Sequence, residues 1–141
     1  MDRNLERNLA KVNAWRARGD LPKARRRLAE LVQEHPDTPD YRLDLARVCL
    51  DLGDSHAALG EVRLLLRQLP DRRDELLAAV EEHFQASGNL PAGQFLFEDH
   101  VARGDHEAAG LVLERFTEAQ LQQTLDRCAT KIATVRSHRA E

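Results

Sequence analysis

Six histidines, two cysteines, three serines and a run of arginines are the side chains of this 141-residue chain best suited to catalysis, metal binding or phosphate recognition. Their spacing assembles none of these. His35, His56, His83, His100, His106 and His138 include no H-E-x-x-H motif and no pair four residues apart. Glu82-His83 and His106-Glu107 are neighbours that point to different sides of a helix, so no metal site is expected. Cys49 and Cys128 form no C-x-x-C motif and fall in separate apolar stripes, which reads as two buried, reduced thiols. A core position also argues against Cys49 as a nucleophile. Ser55, Ser87 and Ser137 stand in no nucleophile elbow, and no Gly-rich phosphate loop is present. The chain therefore reads as a non-enzyme without a cofactor. Lys23, Arg25, Arg26 and Arg27, with Arg63 and Arg67 further on, have guanidinium forks that suit phosphate oxygens. No aromatic residue is interleaved for base stacking and the formal charge is −3, so they read as a solvated face and nucleic acid is not an expected partner.

The elements that hold these residues follow from composition and patterning. Hydrophobic residues make up 42% of the chain and charged residues 32%, with Leu, Ala, Arg and Glu dominant. That is the make-up of a helix-rich domain, and the 4% aromatic content argues against a sheet. Residues 1–36 carry nine basic and five acidic side chains, net +4, and the remainder is net −7. No apolar run approaches the ~20 residues of a membrane span. The opening MDRNLERNLA has charges where a signal peptide needs an apolar core, so the expected home is cytoplasmic and no membrane partner is expected.

A beat runs through the chain. Gly19-Asp20, Gly53-Asp54 and Gly88-Asn89 follow one another at 34 and 35 residues, and Gly104-Asp105 repeats the pair. Pro36 and Pro70 are also 34 apart, and Ala24, Ala58, Gly93 and Ala109 each stand five residues after a turn glycine. Trp15, Cys49 and Phe84 stand four before the first three glycines. A glycine ends a helix cheaply in the left-handed conformation, and the following Asp or Asn caps the next one. The pattern predicts eight helices in four antiparallel pairs: 4–18 with 21–34, 39–52 with 55–69, 72–87 with 90–102, and 105–116 with 118–136. Thr117-x-x-Gln120 reads as a capping box for the last helix. Its stripe of Leu121, Leu125, Cys128, Ile132 and Val135 buries one face, and Ser137 to Glu141 are expected to fray.

These residues resemble the tetratricopeptide repeat, a 34-residue helix-turn-helix unit with a small residue at the helix crossing and a proline between units. The matching marks are Trp15, Gly19, Ala24 and Pro36 in the first unit, and Ala46, Gly53, Ala58 and Pro70 in the second. The third unit departs from the pattern with Glu81 at a usually small position and Gly93 in place of alanine. The resemblance implies an all-α solenoid, a right-handed superhelix of hairpins in a single domain over 1–141, with units about 4–36, 39–70, 72–102 and 105–136 and with helix 118–136 as its cap. It also implies a non-catalytic scaffold that binds a peptide or helix of another protein in a concave groove. The groove positions so implied are Leu9, Asn13 and Arg16, then Asp40, Leu43, Asp44, Arg47 and Asp51, then Glu75 and Glu82, with Leu9, Leu43 and Leu50 as apolar anchors. Acids prevail among them, so the expected partner segment is basic or amphipathic. The subgroup of this family that clamps a C-terminal carboxylate uses Lys, Asn and Arg; only Asn13 matches, while Leu9, Asp44, Glu75 and Ala79 do not, and such capture is not expected. The alternative is a homo-oligomeric assembly subunit that pairs through 118–136, or weak anion binding by the basic face.

Overall fold

The computed structural model describes residues 4–140, and all regular structure among them is helical. The helices are α1 (Leu5–Ala17), α2 (Leu21–Glu34), α3 (Pro39–Asp51), α4 (Ser55–Gln68), α5 (Arg73–Ser87), α6 (Leu90–Ala102), α7 (His106–Glu114) and α8 (Glu118–Ala140). A single 3-10 turn, Pro70–Arg72, leads into α5. None of these helices is long and apolar enough to cross a membrane. The chain divides into two compact units, one ending at Leu76 and one beginning at Leu77, with the break inside α5.

The glycine turns are built alike. Gly19, Gly53, Gly88 and Gly104 adopt φ of +80°, +83°, +67° and +76°, a region that costs other residues steric strain. After three of them the next amide reaches back five residues: Asp20 N–H to the Trp15 carbonyl, Asp54 to Cys49 and Asp105 to His100, each at 2.9 Å. This Schellman closure satisfies a carbonyl that the helix end would leave bare. The same acidic residue then caps the next helix, with Asp20 accepting from Lys23 N–H, Asp54 from Ala57 and Asp105 from Ala108; Asn89 does so for Ala92. Thr117 and Gln120 exchange both bonds of the capping box.

In the first unit α3 packs on both α2 and α4, which explains why it is apolar on most sides. Val12, Leu28, Leu31, Tyr41, Val48 and Cys49 belong to its main cluster, with Ala24 and Ala58 fully buried among them. A second cluster joins Leu43, Leu65 and Leu76. Tyr41, not anticipated as a core residue, is fully buried, and its hydroxyl accepts a hydrogen bond from Asn8 Nδ2 at 2.9 Å.

In the second unit α6 packs on α7 and α8, and α7 packs on α8. Aromatic rings fill the centre, with Phe84 and Phe116 edge to face at 5.9 Å. Gly93 replaces the expected alanine for a reason of space: a Cβ there would lie 2.5 Å from Phe116 Cε1 and 2.7 Å from Phe84 Cε1. Helix α8 departs from expectation twice. It continues to Ala140 instead of fraying from Ser137, because His138 and Arg139 are held on α7; Glu141 lies outside the described residues. It also breaks at Cys128, whose φ and ψ of −132° and 34° are not helical. Cys128, Ile132 and Val135 are buried as expected, but Leu121 and Leu125 are only half-buried and Thr124 takes the inner position. Thr124 is satisfied there, since its hydroxyl donates to the Gln120 carbonyl and accepts from Gln94 Nε2.

Candidate partner-binding face

Helical spacing sets the candidate residues of the first unit in two stripes. Leu9, Asn13 and Arg16 recur at four and three along α1, and Asp40, Asp44, Arg47 and Asp51 at four, three and four along α3. The structure lays the two stripes side by side. Asn8 bonds Tyr41, and Arg16 pairs with Asp51 at 3.2 Å, bridging α1 and α3 near both ends. The 3-10 turn before α5 joins through Arg72, which reaches Asp40 at 3.2 Å and both oxygens of Glu75 at 2.9 Å. Arg47 lies 3.3 Å from Asp44. Glu82, two turns beyond Glu75 on α5, is exposed and belongs to the second unit.

These contacts change the electrostatic reading. Arg72, which the sequence reading did not place here, adds a third cation, so that Arg16, Arg47 and Arg72 face Asp40, Asp44, Asp51 and Glu75. The face is mildly acidic, one charge short of balance, and each of its cations is engaged. The hydrogen bonds from Arg72 hold the Glu75 carboxyl below its ordinary range. Asp44 goes the other way: burial pushes its carboxyl up, and the charges of Arg47 and Arg16 offset only part of that cost.

The apolar anchors need correction. Leu43 and Leu50 are 3% and 2% exposed and belong to the two core clusters, so neither is available to a partner. The helical period placed them near the polar stripe, but the flanking helices cover them. Leu9, half-buried against the main cluster, is the apolar side chain of this set that still reaches the surface, beside the exposed Asn13.

The other candidate surfaces are largely spent within the chain. Arg25 pairs with Asp54 at 2.7 Å, which raises the guanidinium and lowers the carboxyl, and Arg27 pairs with Glu30 and Glu34. Lys23 lies 5.0 Å from the centre of the Trp15 ring, a cation–π distance. The inner members of the α8 stripe pack inside the second unit, where Glu98 of α6 takes Arg127, Lys131 and the Cys128 thiol, the last at 3.3 Å. Both cysteines are free and buried, and burial pushes both thiols up. Among the described residues no group of three or more His, Cys, Asp and Glu is arranged to hold a metal ion. One pairing escaped the sequence reading altogether: His106 and His138, 32 positions apart, stack face to face at 3.9 Å.

No curated protein and no solved structure matches the chain. A family model does, over residues 3–140, and on that match the protein belongs to a family of unknown function (DUF6584).

Proposed function

We propose that the protein is a non-catalytic helical scaffold, built as a tetratricopeptide-like solenoid, whose α1–α3 face receives a peptide or helix of another protein. One observation carries this reading. The polar ties of the first unit join residues one repeat apart: Asn8 to Tyr41 at 33 positions, Arg16 to Asp51 at 35 and Arg72 to Asp40 at 32. In a stack of ~34-residue hairpins, equivalent positions of successive first helices are neighbours. Those helices would line the groove, and their shared surface is the one described above.

The chemistry of that face narrows the partner. A slight acidic excess and one half-buried leucine suit a segment with a few basic residues and an apolar contact, bound with modest salt dependence because the acids are already paired. Buried, unpaired thiols fit a reducing, cytoplasmic home.

The test is fluorescence anisotropy with two labelled amphipathic peptides of equal length, one Lys/Leu and one Glu/Leu. The Lys/Leu peptide is expected to bind, and Asp51→Asn with Glu75→Gln to weaken it roughly threefold or more; both side chains are more than two-fifths exposed, so the fold should survive. Equal binding of the two peptides, or indifference to the double substitution, overturns the reading.

A further inference from the structure

The second unit carries an arrangement that a passive end cap does not require. Helix α8 is two rods joined at the non-helical Cys128. The first rod is tied to α6 through Gln94–Thr124, and Arg127, Cys128 and Lys131 gather on Glu98 around the break. The second rod, from residue 129 on, reaches α7 with Ile132 and Val135 buried along it and a polar clasp at its end. In that clasp Arg139 lies across Gly110, which has no side chain to obstruct it, and pairs with Glu107 at 3.5 Å and Glu114 at 2.9 Å. Beside it the His106 and His138 rings stack at 3.9 Å with planes 6° apart.

We propose that the distal half of α8 is an arm held on α7 at neutral pH by its buried packing and the Arg139 clasp, and that charge on the stacked His106–His138 pair releases it on acidification. Two neutral imidazoles stack favourably, whereas two imidazolium ions at that spacing repel. His106 Nδ1 is buried without a hydrogen-bond partner, so a doubly protonated ring would carry a donor there with no acceptor. Neither ring is paired to a carboxylate that would compensate. The ionisable residues on these elements nearest the two rings in sequence or helical turn are His100, Asp99 and Arg103 at the end of α6, Asp105, Glu107 and Glu114 along α7, and Arg136 and Arg139 on α8. Among the carboxylates Asp105 caps Ala108, and Glu107 and Glu114 hold Arg139, while Asp99 lies 3.9 Å from Arg103 with its Oδ2 buried and not hydrogen-bonded. Charge on both rings therefore opposes the latched arm, so acid favours its release. Release would uncover Ile132 and Val135, which are closed off in the latched form.

Amide hydrogen exchange on the full chain, corrected for intrinsic rates, tests this at about pH 7.5 and about pH 5.5. Protection of residues 129–138 is expected to fall on the order of tenfold relative to 119–126 at the lower pH. In His138→Gln, and separately in His106→Gln, protection at the higher pH should hold and its loss on acidification should vanish. Unchanged protection in the native protein, an equal loss along both halves of α8, or a loss that persists in both variants overturns the proposal. So do variants already open at the higher pH, because the mechanism requires charge, and not removal of a ring, to open the latch.

Discussion

The two units solve the same packing problem with opposite distributions of bulk. In the first unit Ala24 and Ala58 are fully buried in a cluster made mostly of aliphatic side chains. In the second, Gly93 brings nothing and the rings of Phe84 and Phe116 occupy the space a methyl would take. Close approach asks for a small residue on one side; what fills the remaining volume is settled by the other side. Their buried polar groups differ as well. The first unit buries a carboxylate, Asp44 beside Arg47, as well as the neutral Ser55, whereas the second buries the neutral Thr124 bonded to Gln94.

The sharpest way to break this contrast is a pair of identical substitutions. Gly93→Ala forces a methyl into two packed rings and is expected to cost about 1–3 kcal/mol. Gly60→Ala, in the middle of α4 with open space around it, is expected to gain about 0.5–1 kcal/mol, because alanine loses less freedom in a helix. Urea unfolding followed by circular dichroism reads both, and a shared sign would end the argument from ring packing.

A second test separates the charged burial from the neutral one. Asp44 binds its proton more readily folded than unfolded, so its contribution is full below the ordinary aspartate value, about 3.9, and fades as pH rises past it. Asp44→Asn should therefore gain on the native protein between about pH 3.5 and about pH 7, while the difference between Thr124→Val and native stays flat over that range. A flat difference for Asp44→Asn would mean that Arg47 and Arg16 compensate the burial fully.

The smallest effect concerns the exposed ties. A double-mutant cycle on Arg16 and Asp51, with side chains 27% and 43% exposed, is expected to return a coupling of about 0.2–1 kcal/mol that shrinks with added salt. A salt-independent coupling would place that pair among the structural supports of the first unit.

Most helix boundaries were legible because the signals for them are local. A glycine forced to positive φ and a following Asp or Asn cap act within a few residues, and the predicted ends lie within one or two positions of those found, except at the end of α8. The alternation of stripes on α1 and α3 was legible too, since 3.6 residues per turn assigns faces. Which faces are covered was not. Leu43 and Leu50 look like their exposed neighbours in the period, and only the helices packed beside α3 decide their burial. Arg72 was missed because the sequence marks it only as the first position of a predicted helix, whereas it ends a 3-10 turn from which it ties Asp40 to Glu75. The break at Cys128 and the meeting of His106 with His138 depend on contacts between distant segments, and no local signal marks either.

The Schellman turns also bear on how the chain reaches its fold. Each closes through a bond spanning five residues and caps the next helix three residues on, so a hairpin's corner can form before anything beyond it is in place. Loops that short close in well under a microsecond and cost little entropy. Assembly can then begin at more than one corner and spread to adjoining helices, the kinetic behaviour of chains dominated by near-sequence contacts.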